Sequence, residues 1–415
     1  MSGMDEIDRD LEALQLPAWG RVVPAAGVVP WMVADPAGEP VQPVQRFLRD
    51  FVARGNAPGS VRSYAYSLHR WWRFLLAVGV EWDKATSAEA RDFVLWLMQA
   101  DKTRRYPRTA SAATAGRVNP VTRKPYPGDR YQPRTVRHSN AVLRSFYDFW
   151  IELGQGPLVN PVPRERVKGG RAHAHHNPLQ PFRPEGRLRY NPPVPRRSPR
   201  AMPEERWNDL FARMASNRDR AILALAISTG ARAGELLGVR GCDVDWGDQL
   251  IRVRRKGTGA EQWLPASADA FVWLRLYLDE TGNGDPDQTV WQTLRRRSRG
   301  GGHAQRQPLN YEALRAVLRR ANAALGTNWT MHDLRHTCAL RMVRDERLSL
   351  LDVQTILGHA HLTTTQIYLN EDDETVIRRV RQYLNVRQET SQQPPAAAEG
   401  YNTADLAVLF GEATR

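Results

Sequence analysis

Residues 357–370 read LGHAHLTTTQIYLN. His359 follows a Leu-Gly pair, and Tyr368 stands nine residues later. On one unbroken α-helix, nine residues turn the chain through about two and a half turns, so the two side chains would face opposite sides. A chain that uses both in one place must break its helix between them. Gly358 is suited to end one helix in a left-handed cap, and Thr363, Thr364 and Thr365 to cap the next. The stretch is expected to fold as helix, tight turn, helix, bringing both side chains to one cleft.

The rest of the chain supplies a frame for such a cleft. Its 415 residues allow two or three domains with a sizeable core. Helical periodicity appears in VQRFLRDFVARG, in SVRSYAYSLHRWWRFLLAVGV from Ser60 to Gly79, in TSAEARDFVLWLMQ behind a Thr86–Glu89 capping box, and in TVRHSNAVLRSFYDFWIELG. The last of these places Val142, Phe146, Phe149 and Trp150 on a core face. These four segments make a helical domain over 41–160, interrupted by a long polar loop at 101–131. Residues 1–40 read as a flexible arm. A second domain over 201–388 begins with PEERWNDLFARMA and RDRAILALAISTG as helices, followed by the short helix RAGELLGV. LIRVRRKGTGAEQWLP reads as two strands and a Gly-containing turn, SADAFVWLRLYLDE as a helix, and TVW as a further strand. NYEALRAVLRRANAAL places Leu314, Val317, Leu318 and Ala321 on one face, and the helices around Arg335, Tyr368 and ETVIRRVRQYL follow. The expected class is mainly α, with a small β-hairpin or sheet in an α+β second domain.

Between the domains, residues 161–200 hold nine prolines, ten Lys or Arg and only two acids, so they cannot bury a core and read as a basic linker. The cluster at His173, His175 and His176 has nothing nearby to complete a metal site, and no metal is expected. Cys242 and Cys338 form neither a disulfide framework nor a zinc motif. The formal charge of +14 favours a polyanion as partner, nucleic acid before an anionic membrane surface. No apolar run approaches the roughly 20 residues of a membrane span. The acidic start MSGMDEIDRDLEALQ lacks the pattern of a signal peptide, so a cytoplasmic, nucleoid-associated bacterial protein is expected.

Four separated pieces carry the chemistry: STGARAGELLGVR, RRKGTGAEQW, HDLRHT and LGHAHLTTTQIYL. Each alone has an ordinary reading, such as a helix-end arginine, a solvent-facing hairpin lysine or a helix-surface His-x-x-Arg pair. In this order they resemble the tyrosine recombinase (phage integrase) family, over the whole second domain. The helical domain is more loosely similar to that family's SAM-like core-binding domain. The resemblance implies Tyr368 as nucleophile, Arg232 and Arg335 as phosphate-clamping arginines, Lys256 in the hairpin, and His332 and His359 as the two histidines. Glu235 would steady Arg232. His336 and His361 are nearby alternatives for the histidines, and Arg254 and Arg255 for the lysine. The resemblance also implies site-specific recombination through a 3′-phosphotyrosine, for integration or excision of a mobile element, with no metal or nucleotide cofactor. The alternatives are an Xer-like resolvase, a type IB topoisomerase-like relaxing enzyme, or a DNA binder with a dead site.

Those residue types suit the chemistry. Attack on a phosphodiester gathers negative charge on the non-bridging oxygens, and guanidiniums are planar, permanently charged donors for them. His332 and Arg335, at i and i+3, share a helix face. Tyrosine, with a pKa of about 10, is a poor nucleophile at neutral pH, and nearby Arg and His cations are expected to favour its phenolate. Arg315, Arg319 and Arg320 form a row that could enter a major groove, and Arg196 and Arg197 in the linker could lie on phosphates. Past the spacer QETSQQPPAAAEG, a last amphipathic helix in 389–415 carries Leu406, Val408, Leu409 and Phe410. It is expected to dock on a neighbouring protomer, giving a homotetramer on double-stranded DNA and a monomer off it.

Overall fold

Apolar residues at helical spacing carry most of the chain. The computed structural model describes residues 9–102, 114–165, 186–195, 199–282, 285–296, 305–359, 361–369 and 381. Contacts divide the chain into two units, one of residues 1–196 with 326–328, the other of 197–325 with 329–415. The class is mainly α with small antiparallel sheets.

The first unit is built on α1 (Gln42–Ala53), α2 (Pro58–Val78), α3 (Ser87–Gln99) and α4 (Pro133–Glu152). Proline near the start of α1, α2 and α4 fits positions that need no backbone N–H, so α2 begins two residues before Ser60. Gly79 ends α2 in the left-handed conformation, and the Thr86–Glu89 capping box opens α3. The core is aromatic: Trp71, Phe74, Phe93, Phe146 and Tyr147 are fully buried. Trp71 Nε1 donates to the Tyr147 hydroxyl at 2.8 Å, which donates to the Trp82 carbonyl at 2.9 Å, so the buried polar atoms are satisfied.

Three segments expected to be loose are packed where the structure describes them. The arm over 1–40 is corrected for residues 9–40. It contains the antiparallel hairpin β1 (Arg21–Pro24) and β2 (Trp31–Ala34), paired Val22 to Val33. Val29 and Val33 are buried, and Leu14, Leu16 and Trp19 pack on the helical core. Arg9 is held by Glu89 at 2.6 Å and Asp92 at 2.7 Å. The apolar residues here fall in short runs broken by Pro and Gly, with no helical or alternating period, which is why the segment reads as loose. Within the 101–131 loop, residues 114–131 form an ordered turn, with Asn119 donating its backbone N–H to Lys124 and Tyr126 to Arg117. The ends of the proline-rich 161–200 segment pair with each other as well. Glu165 N–H donates to Arg187 and Arg189 N–H to Pro163, while Val162, Leu188 and Tyr190 pack on the core. Prolines forbid a long ladder but permit such isolated bridges.

The second unit centres on α6 (Asn217–Thr229), whose residues Ala221–Ile227 are all buried, as expected of a helix apolar on every side. Around it lie α5 (Glu204–Ala212), α7 (Ala233–Leu237), α8 (Ala268–Thr281), α9 (Tyr311–Leu325) and α10 (Met331–Arg344). A three-stranded antiparallel sheet has the order β3 (Val244–Asp245), β4 (Leu250–Arg254), β5 (Glu261–Pro265). Ile251 pairs with Leu264, and alternation sends Ile251, Val253 and Leu264 into the core. The TVW strand does not form: Thr289 makes one isolated bridge to Arg240, while Val290 and Trp291 are buried. Leu314, Val317, Leu318 and Ala321 of α9 face the core. Then come α11 (Leu350–Leu357) and the five-residue α12 (Leu362–Gln366). Among the described residues, no helix is long and apolar enough to cross a membrane.

Candidate active site

The break expected between His359 and Tyr368 is present. Gly358 closes α11 with φ +61°, a left-handed conformation that glycine adopts without steric cost. A Cβ there would also stand 2.7 Å from the Arg255 Nε, so glycine is needed for space as well as conformation. The threonines do not cap the next helix. His361 occupies the N-cap of α12 without a side-chain bond, and Thr365 lies inside the helix, fully buried. Tyr368 follows in the turn after α12, with its backbone N–H on the Thr365 carbonyl at 3.0 Å.

Arg335 is the hub of the cluster. It sits on α10, only 2% exposed. Its Nη1 donates to the Gly230 carbonyl at 2.6 Å, and its Nη2 to the Leu357 carbonyl at 2.7 Å and to His359 Nε2 at 2.9 Å. One guanidinium thus joins the end of α6, the end of α11 and the histidine beyond it. Gly230, at φ +64°, lets the α6 end come this close: a Cβ there would meet Leu357 at 2.8 Å and Cys338 at 3.1 Å. Burial, with Arg232 adding to it, lowers the Arg335 pKa to about 10, still cationic at neutral pH. A cationic donor leaves His359 Nε2 only the acceptor role, so the ring proton sits on Nδ1 and goes to Thr365 Oγ1 at 2.8 Å. Burial first, then the charges of Arg335, Arg232 and Arg255, push the His359 pKa down to about 4.

A second knot is built on Glu235. This buried carboxylate accepts from Arg232 Nη1 at 2.8 Å, from the Arg232 backbone at 2.9 Å, from Arg255 Nη1 at 3.1 Å and from the Lys256 backbone at 3.2 Å. Burial alone would raise its pKa, but the bonds from Arg232 and Lys256 outweigh burial and hold it below the usual value. Arg255 is buried and also donates to Gln262 at 2.8 Å and to the Ile356 carbonyl. The hairpin is therefore tied to the α11 end by an arginine that sequence reading weighed only as a rival to Lys256. Arg254 is exposed and pairs with Glu261, and Lys256 is exposed on the turn itself.

The aromatic groups form a row. His332 and His336 meet edge to face at 4.1 Å between centroids, His336 and Tyr368 lie 5.5 Å apart, and His359 is parallel to Tyr368 at 6.4 Å. His332 is exposed, and Tyr368 is only 4% exposed. The Tyr368 hydroxyl lies 2.9 Å from His336 Nδ1. The expected drift toward phenolate is corrected. Burial raises the Tyr368 pKa and outweighs the opposing charges of Arg335 and Arg232. The neutral His359 supplies no help, since burial first, and then the same arginines, disfavour its charge.

Arg335, His359 and Tyr368 are thus brought together, and the Arg232–Glu235 pair forms a neighbouring knot tied to the end of α11 through Arg255, with Lys256 and His332 exposed. Arg315, Arg319 and Arg320 lie exposed on α9, with Arg315 paired to Glu312 at 3.4 Å. Arg196, Arg197, the histidine cluster at 173–176 and the tail helix fall outside the described residues.

Residues 201–375 match the model of the phage integrase family. Over that segment the chain is similar to the phage integrase family. Transposase A from transposon Tn554 of Staphylococcus aureus is 24% identical over 368 residues, which cover 85% of this chain and 94% of the transposase. Tyrosine recombinase XerC of Chromobacterium violaceum is 34% identical over 184 residues, 43% of this chain and 58% of XerC. Among solved structures, a lambda integrase dimer bound to a COC′ core site matches with a TM-score of 0.51 at 16% identity, over 79% of this chain and 76% of that one. The Tn1549 transposon integrase in complex with circular intermediate DNA matches with a TM-score of 0.51 at 13% identity, over 79% and 94%. At such identities the likeness is one of fold.

Proposed function

We propose that this chain is a site-specific DNA recombinase of the integrase kind, belonging to a mobile element. It cuts one strand of a duplex at a time, holds the end as a 3′-phosphotyrosine on Tyr368, and rejoins it to a new partner. The observation that carries this reading is the clustering of Tyr368 with Arg232, Arg335 and His359. In the reaction, Arg232 and Arg335 bind the non-bridging oxygens of the scissile phosphate. The bonds to Gly230, Leu357 and His359 hold the Arg335 fork in a fixed plane, leaving its other N–H groups for phosphate. Glu235 does the same for Arg232. Lys256, exposed on the hairpin turn, donates the proton that the leaving 5′-oxygen requires. His332 faces the same phosphate, and His359 acts through Arg335, whose Nη2 it holds. The phosphotyrosine conserves bond energy, so rejoining needs no nucleotide.

The partner is double-stranded DNA, in keeping with the charge of +14, and the place of work is the bacterial chromosome. Likeness along nearly the whole length of a transposase favours a mobile element over a relaxing enzyme. Exposed Arg315, Arg319 and Arg320 read the duplex, Arg196 and Arg197 lie on its backbone, and the helical unit adds a second contact surface. Four protomers assemble on two sites, each giving its terminal helix to a neighbour. Recovery of DNA covalently joined to Tyr368 tests the chemistry. Substituting Arg315, Arg319 and Arg320 together tests the reading of sequence: affinity should fall mainly at the preferred site, by about 1–3 kcal/mol per lost base contact. Equal loss on all DNA would make the row a backbone contact.

A further inference from the structure

The recombinase reading leaves open what removes the proton from Tyr368. The phenol is buried and holds its proton more firmly than free tyrosine. The arginines around it do not ionise it. A base within reach is therefore required, and a general base must stand about 2.6–3.2 Å from the atom it serves. His359 does not qualify in this arrangement. Its Nε2 accepts from Arg335 and its Nδ1 is given to Thr365, so neither nitrogen is open to the phenol. His332 stands one ring further out, exposed, with its contact to His336. His336 Nδ1 lies 2.9 Å from the Tyr368 oxygen.

Resting on that reading, we propose that His336 is a catalytic residue, the proton acceptor for the Tyr368 nucleophile. As the Tyr368 oxygen bonds to phosphorus and the bond from phosphorus to the 5′-oxygen breaks, the phenolic proton passes to His336 Nδ1. A proton from Lys256 passes to the leaving 5′-oxygen. Religation reverses both transfers, so no external acid, base or oxidant is consumed. His336 is well placed to be precise. It follows Arg335 directly on α10, so one helix sets the position of both the phosphate clamp and the base.

The test uses the full-length protein and the duplex recovered from covalent adducts in cells, made once with the normal 5′-oxygen at the scissile phosphate and once with 5′-sulfur. Sulfur leaves without needing a proton, so it relieves a missing acid but not a missing base. His336→Asn puts an amide oxygen about where Nδ1 lies, keeping an acceptor that cannot take a proton. His336→Ala opens room for added imidazole. Equal DNA binding and melting temperature establish that each variant is folded. The expected result is a loss of single-turnover cleavage of 100-fold or more in His336→Asn, unchanged by 5′-sulfur, with imidazole restoring at least tenfold to His336→Ala. A rate within threefold of wild type, a loss erased by sulfur, or a loss that imidazole leaves untouched overturns the proposal. If the wild type forms no adduct on this duplex, or Tyr368→Phe forms as much, the recombinase reading itself fails, which is a separate outcome.

Discussion

His359 is the residue whose charge state the structure commits to most firmly. It is neutral because Arg335 can only donate to it, and because burial and three arginines oppose its protonation. That has a consequence for stability. A histidine with a depressed pKa in the folded state binds fewer protons there than in the unfolded chain, so stability rises with pH between the two values. From His359 the full contribution is present above about 6.5 and is lost as pH falls toward about 4. Urea melts of wild type and His359→Gln across this window should diverge. The wild type should lose stability faster on acidification, and the difference should level off below about 4. Parallel curves would mean that the ring is solvated and not held as described.

At the scale of elements, the arm and hairpin over 9–40 belong to the fold of the helical unit. Arg9 spans to α3, where Glu89 also serves as the capping partner of Thr86. Removing Arg9 takes the charged donor from Glu89 Oε1 and Asp92 Oδ2, two buried carboxylates left with Thr86 and Arg91 on their other oxygens. Arg9→Ala should therefore cost roughly 1–3 kcal/mol in a urea melt. A cost below about 0.5 kcal/mol would place Arg9 among ordinary surface residues. Much of the architecture was legible in advance. Capping signals such as Thr86 with Glu89, glycines such as Gly79 and Gly358, and the apolar face of α9 act locally, and local signals are written in adjacent residues. The packed arm was not legible, because Arg9 meets residues some 80 positions away and its apolar neighbours follow no period. The site shows the same division. Arg232, Arg335, His359 and Tyr368 stood out by type and spacing, whereas the roles of Arg255, Thr365 and His336 depend on which atoms meet across helices. The protonated state of Tyr368 was misread for the same reason: charge is visible in a sequence, and burial is not.

For the whole molecule, the proposed function requires a DNA-cutting site within an assembly that exchanges strands between partners. The terminal segment is the proposed link between protomers. Deleting 401–415 should abolish synaptic complexes in gel-shift and crosslinking assays while leaving binding to a single site intact; unchanged assembly would remove the segment from the interface. The central claim is that Tyr368 becomes covalently joined to DNA at defined places. The measurement is to express the intact protein and Tyr368→Phe in cells that hold the parent genome, recover DNA covalently bound to protein under denaturing conditions, and sequence its ends. Adducts through 3′-phosphate are expected at one or a few sites, absent from Tyr368→Phe. Adducts that persist in Tyr368→Phe, or that scatter without site preference, would contradict the claim.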